Sequence, residues 1–280
     1  MSYQLSDLLY CMQRLRNPQT GCPWDLKQDF ADILPHTLEE AYEVADAIER
    51  QDWPHLEEEL GDLLFQVIFY GQIAQERDLF NVYSVIDKLV AKLVRRHPHV
   101  FPSGDLQSER DPAISPEVAE VNANWDDIKR QEKQLKVEQG RMSEEETGLL
   151  ADVPVTMPAI TRAVKLTKKA AKVGFDWPDV NGVLDKIREE LAEVEAELES
   201  GDQQALQAEI GDLLFAVTNL ARHTGVDPEV ALRGTNQRFY QRFSLVEQQV
   251  ECQGGWSQAT AESMEDAWEA AKQAEKLAGK

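Results

Sequence analysis

The architecture follows from a seven-residue segment that occurs twice in the chain, first as Glu59-Leu60-Gly61-Asp62-Leu63-Leu64-Phe65 and again as Glu209-Ile210-Gly211-Asp212-Leu213-Leu214-Phe215. After its aspartate, the first copy has no charged residue from 63 to 75, and the second has none from 213 to 221. A helix that is apolar nearly all round is buried against neighbouring elements. Each copy therefore predicts a buried helix that carries two carboxylates, at i and i+3, near its beginning.

The two copies of this segment lie 150 positions apart, and a second acidic motif recurs at the same distance without a gap. It reads Glu-Glu-x-x-Glu and comprises Glu39, Glu40 and Glu43 in the first half and Glu189, Glu190 and Glu193 in the second. Each half thus carries five carboxylates at one spacing. A period this long indicates a duplicated domain rather than a solenoid repeat.

The pattern between these motifs is helical. Ala, Leu, Glu, Gln and Lys dominate, and strand-like alternation is absent over any useful length, so we predict an all-α fold of two tandem helical bundles. The N-terminal domain is expected at 1–136 with its core at 20–102, and the C-terminal domain at 159–280. A linker is expected at 137–158, where the acidic run Glu144-Glu145-Glu146 lies. Prolines are expected between helices, which places helix starts at about Leu38 and Leu56.

Composition narrows the class of protein. The 280 residues include 51 Asp+Glu and 29 Lys+Arg, for a formal net charge of −22. An acidic chain lacks the basic face that nucleic acid or an anionic membrane surface requires, so we expect neither as a partner. No apolar stretch is long enough to span a bilayer. The three cysteines form no CxxC pair, and the first residues show no secretory signal, so a cytoplasmic location is expected.

The carboxylates have two interpretations. An isolated Glu-Glu-x-x-Glu is usually the solvated face of an amphipathic helix. If the two acidic helices of each half pack antiparallel, however, five anions come together and need a compensating cation. Carboxylate-rich oxygen coordination suits Mg²⁺, or Mn²⁺ in its place. A di-iron bundle needs Glu-x-x-His pairs, and zinc needs Cys and His ligands; the sequence offers neither set.

Basic and aromatic residues accompany the acids in each half. In the second half they are Lys186, Arg238, Arg242, Trp268 and Lys272. Singly, each is an ordinary surface ion-pair partner or core aromatic. Together they suit a metal-bound polyphosphate, with cations for the phosphate oxygens and an indole for a base. The first half keeps Lys92, Arg96, Trp125 and Lys129 but has His36, a weaker phosphate partner near pH 7, in the place of Lys186.

These motifs, taken together, resemble the MazG family of nucleoside triphosphate pyrophosphohydrolases. Segments similar to the first domain of that family are Gly21–Asp25, Glu39–Val44, Gly61–Gln66, Arg96–Phe101 and Asn124–Lys129, and segments similar to its second are Val173–Trp177, Gly211–Ala216 and Arg238–Phe243. One departure is Asp29-Phe30, where the family pattern has Thr-His after Gln28.

The resemblance implies a Mg²⁺-dependent homodimer that hydrolyses NTPs and dNTPs between the α and β phosphates, as a nucleotide-pool house-cleaning enzyme. It also implies that the C-terminal domain is the catalytic one. We predict Glu190, Glu193, Glu209 and Asp212 as Mg²⁺ ligands and Glu189 as the group that accepts a proton from the attacking water. Lys186, Arg238, Arg242, Trp268 and Lys272 are then the substrate-binding residues. A second possible metal site in the N-terminal half consists of Glu39, Glu40, Glu43, Glu59 and Asp62.

Two alternatives from other classes stay open at this point. One is a nucleotide sensor that binds without turnover, and the other is an acidic helical scaffold whose carboxylates only serve solvation.

Overall fold

The computed structural model describes residues 2–113, 116–140, 143 and 148–278. Part of the predicted linker, including the acidic run Glu144-Glu145-Glu146, lies outside the described residues. Within them the chain forms ten α-helices and no strand, which confirms the all-α prediction. The helices are α1 (Leu5–Leu15), α2 (Phe30–Arg50), α3 (Trp53–Glu76), α4 (Val82–Arg96), α5 (Val118–Glu138), α6 (Ala159–Ala171), α7 (Val180–Ser200), α8 (Gln203–His223), α9 (Pro228–Cys252) and α10 (Ala261–Ala278). None of them, over the described positions, is both long and apolar enough to cross a membrane.

The chain divides into two compact units, Met1–Glu132 and Lys133–Lys280. The division falls inside α5. Each unit contains one of the duplicated acidic motifs, in agreement with a tandem repeat. The exact domain and linker boundaries given above remain a prediction.

The first unit is built on a helical hairpin. Helices α2 and α3 are joined by Gln51 and Asp52, and their contacts run antiparallel: the Thr37 and Tyr70 hydroxyls lie 2.9 Å apart, and Gln66 contacts Glu40. Helices α1 and α4 pack against α3. The core between them consists of Met12, Ile33, Ile68, Phe69, Ile73 and Val82.

The second unit repeats the hairpin with α7 and α8. Helix α6 packs against α8 and α9, and α10 packs along α9. A small core joins α9 to α10 through Val246, Val250 and Ala267, with Trp268 partly buried against it. The hairpin thus carries the acidic motifs and Lys186, while α9 and α10 carry Arg238, Arg242, Trp268 and Lys272.

The prediction that Pro35 precedes the second helix was wrong. Helix α2 begins at Phe30 and contains Pro35. The reason lies at Asp29, whose side chain accepts hydrogen bonds from the N–H groups of Ala31 and Asp32, in a capping box completed by Asp32. This cap stabilises the first turn, although the ring of Pro35 removes one later hydrogen bond. Helix α3 likewise begins before Leu56, at Trp53, because Pro54 stands in the first turn, where its missing N–H costs nothing.

Candidate functional site

In the second unit, the hairpin gathers three of the five predicted carboxylates. Glu190 and Glu193 lie one turn apart on α7, and Glu209 lies opposite them on α8; one oxygen from each falls within 4.8 Å of the others. The Glu190 side chain is only 6% exposed. Burial, together with the neighbouring carboxyl groups of Glu190 and Glu209, raises the pKa of Glu193. We call Glu190, Glu193 and Glu209 the second triad.

Lys186 lies at the edge of the second triad. Its Nζ is 2.8 Å from an oxygen of Glu189 and 2.7 Å from an oxygen of Glu190. Hydrogen bonds to these two carboxylates raise the pKa of Lys186. Glu189 therefore lies beside the triad and is paired with a lysine. Asp212, one turn after Glu209 on α8, is exposed and lies outside the group of three.

The first unit holds a matching first triad, Glu40, Glu43 and Glu59. Burial is the main cause that raises the pKa of both Glu40 and Glu59, and nearby Asp62 adds to both shifts. Asp62 itself is exposed and not among the three.

The partners of the first triad differ from those of the second. His55 Nε2 lies 3.2 Å from Glu59, and Gln66 donates to Glu40 at 3.3 Å. His36, which occupies the position of Lys186, lies 3.6 Å from Glu39 and leaves that carboxylate on the exposed side of α2. The first triad thus has an imidazole and an amide where the second has a fixed ammonium.

The basic and aromatic residues of the second unit meet between α9 and α10. The Arg242 guanidinium lies 5.8 Å from the centre of the Trp268 ring, and its Nε donates to Glu275 at 2.7 Å. Arg238 donates to the Thr235 hydroxyl at 2.8 Å. Of the other predicted residues, Lys272 forms an ion pair with Glu269. Arg242 and Trp268 are therefore one arrangement, whereas Arg238 and Lys272 have partners on their own helices.

The first unit shows a similar arrangement between α4 and α5. The Arg96 guanidinium lies 6.0 Å from the Trp125 ring centre, and Lys129 lies 4.7 Å from it. Glu132 receives hydrogen bonds from both Arg96 and Arg95, at 2.6 and 2.5 Å. These arginines hold the pKa of Glu132 far below its usual range, at about 2. Lys92 lies one turn before Arg96 on α4.

Our interpretation of the sequence missed four residues that the structure places at these sites: His55, Gln66, Glu132 and Glu275. His55 and Gln66 have no counterparts, since Ala205 and Ala216 occupy the equivalent positions of the second half. Glu132 and Glu275 could have been found. Each stands seven residues after the tryptophan of its half, in a shared Trp-x-x-x-Lys-x-x-Glu pattern.

Comparison with known proteins extends these findings. The model of the MazG nucleotide pyrophosphohydrolase domain matches the chain twice, at residues 28–101 and 180–244, and each match contains one triad. A protein of Escherichia coli strain K12 named nucleoside triphosphate pyrophosphohydrolase is 44% identical over 97% of this chain and 98% of its own. The nucleoside triphosphate pyrophosphohydrolase/pyrophosphatase MazG of Thermotoga maritima is 38% identical over 95% of this chain and 94% of its own.

Among solved structures, a MazG-related protein from Thermotoga maritima is 27% identical, with a TM-score of 0.38, over 45% of this chain and 99% of its own. The family model matches both halves, and the two relatives are similar over nearly the whole chain. These findings identify the family. The chain belongs to the MazG family of nucleoside triphosphate pyrophosphohydrolases and is an enzyme of that family.

Proposed function

We propose that the protein hydrolyses nucleoside triphosphates between the α and β phosphates, releasing the nucleoside monophosphate and pyrophosphate, and thereby clears nucleotides from the pool. The observation that supports this most strongly is the second triad, in which the buried Glu190 and two further carboxylates of the hairpin converge within 4.8 Å beside a lysine. Carboxylates that only serve solvation are expected to stay apart, because like charges at close range repel.

Mg²⁺ is the cofactor that fits these residues. The donors are carboxylate oxygens, which Mg²⁺ prefers. Burial, together with the neighbouring carboxyl groups of Glu190 and Glu209, raises the pKa of Glu193, as expected where like charges lie close together. Glu190, Glu193 and Glu209 would hold the ion, with Asp212 able to join from the next turn of α8. When bound, Mg²⁺ neutralises phosphate charge and favours ionisation of a coordinated water. Mn²⁺ fits the same ligands.

Side chains of this chain would activate the water and bind the phosphates and the base. Glu189 lies beside the triad and would orient the attacking water and accept its proton. Lys186 contacts the triad edge and would bind a phosphate oxygen, at the cost of its present ion pairs. Arg242, together with Arg238 and Lys272, would contact further phosphate oxygens. The Trp268 indole offers an aromatic face for the base.

We propose that catalysis belongs to the second unit, because its triad has Lys186 where the first has His36. The first triad remains a second possible metal site, with Arg96, Trp125, Lys129 and Lys92 as its accessories. The assay described below distinguishes this enzyme from the two alternatives, a sensor without turnover and an acidic scaffold.

A homodimer is part of the proposal. Exposed apolar side chains line the second helix of each hairpin. Leu60, Leu64 and Val67 on α3, and Ile210, Leu214 and Val217 on α8, are 43–59% exposed. Gly61 and Gly211 lie among them, and a methyl group added to either would meet nothing within 4 Å. Glycine inside a helix is costly unless something approaches closely. A second copy of the chain or a substrate would supply that approach.

Product analysis tests the proposed function. The protein is incubated with ATP and Mg²⁺, and the nucleotide and phosphate products are separated. We expect AMP and pyrophosphate in equal amounts, no turnover in EDTA, and recovery with Mg²⁺ or Mn²⁺. ADP and phosphate would refute the proposed bond cleavage. Binding without turnover would support the sensor, and no binding would support the scaffold.

A further inference from the structure

One carboxylate in each unit contacts the arginine of the proposed substrate site. Glu132 and Glu275 stand seven residues after Trp125 and Trp268, and each forms an ion pair with the arginine that lies over that tryptophan. Each ion pair joins two helices, α4 to α5 in the first unit and α9 to α10 in the second. The duplication has therefore preserved an Arg–Glu–Trp arrangement, although neither glutamate belongs to the acidic motifs.

The two arrangements use different atoms of the arginine. Glu275 accepts a hydrogen bond from Nε of Arg242, at 2.7 Å. This contact does not use the two terminal nitrogens of that guanidinium. Glu132, by contrast, accepts from both Nε and Nη2 of Arg96 and is shared with Arg95. An arginine held at Nε keeps its terminal nitrogens for another anion, and guanidinium geometry suits phosphate.

Holding the arginine in place favours binding of a phosphate. An arginine side chain has several rotatable bonds, and fixing it in one rotamer before the ligand arrives removes part of the entropy cost of binding. The Trp268 ring, 5.8 Å from the guanidinium, and Glu275, 2.7 Å from its Nε, both limit its movement. The Glu275 side chain is 42% exposed, so solvent screens its charge and weakens its repulsion of an incoming phosphate.

We propose that Glu275 is a positioning residue: it holds Arg242 against Trp268 with the terminal guanidinium nitrogens available to a phosphate oxygen of the nucleotide. This inference rests on the proposed function. Glu275 contacts the arginine and is not expected to contact the substrate.

The test compares Glu275→Ala and Glu275→Gln with wild type in steady-state hydrolysis of Mg-ATP. Loss of one preorganised side chain should raise KM about three- to tenfold in the alanine variant, with little change in kcat. The glutamine variant should lie nearer to wild type, because its amide oxygen can still accept from Nε. The control is Asp152→Asn, which removes another ion pair of the same unit, between Asp152 in the turn before α6 and Lys169 on α6, and should leave KM unchanged.

Thermal unfolding of all variants completes the test. If Glu275→Ala lowers the melting temperature but leaves KM at the wild-type value, Glu275 only connects two helices and the inference is wrong. If both variants lower KM, Glu275 competes with the substrate, and the inference is again wrong. A wild type that makes no AMP and pyrophosphate refutes the proposed function instead. In that case the Kd for ATP is measured on the same variants, and it should be lowest in wild type, higher in Glu275→Gln and highest in Glu275→Ala. Equal Kd values, or a wild type that binds no ATP, would overturn the inference.

Discussion

At the scale of single residues, the two triads differ chiefly in the cation beside them. Lys186 is a fixed charge next to Glu190, whereas His36 contacts Glu39 away from the first triad. A charge-assisted contact contributes ~1.5–3 kcal/mol, or about ten- to a hundredfold in binding. We therefore expect Glu193→Gln to abolish most ATP turnover and the matched Glu43→Gln to leave most of it. Steady-state pyrophosphate release measures both, with circular dichroism as the control for folding. The opposite ranking would assign catalysis to the first unit.

Glu132 leads to a prediction about acid stability. Its pKa of about 2 lies below the ordinary value of 4.5, so its ion pairs stabilise the folded state at neutral pH. This contribution, about 3 kcal/mol, is fully present above pH ~4.5 and is lost as the pH falls toward 2. The unfolding free energies of wild type and Glu132→Gln should therefore differ most near pH 6 and converge near pH 2. Urea titrations at several pH values measure the difference. A gap that does not change with pH would contradict the assigned ion pairs.

At the scale of elements, the start of α2 depends on one residue. Asp29 caps the helix through the N–H groups of Ala31 and Asp32. Asp29→Ala should therefore cost about 1 kcal/mol of stability, whereas Asp29→Asn, which keeps the acceptor oxygen, should cost much less. Chemical denaturation measures both. Equal losses in the two variants would show that the charge of Asp29, and not its hydrogen bonds, stabilises this end of the helix.

The same elements show which features of the fold could be predicted from the sequence. Periodicity and the duplicated motif predicted the hairpins, because a helix that is apolar after Asp62 or Asp212 is expected to pack against a neighbour. The burial was only partial, since Leu64 on α3 and Leu214 on α8 stay exposed. Pro35 misled the placement of α2, since a strong cap outweighs one lost hydrogen bond and local signals do not rank the two effects. The five acids of each half were predicted to converge, but three of them form the group. Glu39 and Glu189 pair with His36 and Lys186, and the two aspartates, Asp62 and Asp212, are exposed. Helical spacing places residues on a face but does not decide which rotamer an adjacent His36 or Lys186 selects.

At the scale of the whole molecule, the exposed apolar side chains on α3 and α8 predict self-association. A monomer rarely leaves such surfaces uncovered. Sedimentation at micromolar concentration should give twice the 31.7 kDa chain mass. Leu214→Glu, which places a charge at a side chain now 59% exposed, should shift the protein toward the monomer. Leu198→Glu, on α7 and 63% exposed, is the control and should not. A wild-type monomer at these concentrations would contradict the proposed dimer.

The central proposal is that pyrophosphohydrolysis depends on the carboxylate triads, chiefly on the second. It is tested most directly by product analysis of ATP turnover in wild type and in the double variant Glu43→Gln/Glu193→Gln, in which both triads lose one carboxylate while the fold is monitored by circular dichroism. We predict equal amounts of AMP and pyrophosphate from wild type and turnover reduced by orders of magnitude in the double variant. A folded double variant that releases pyrophosphate at the wild-type rate would contradict the account.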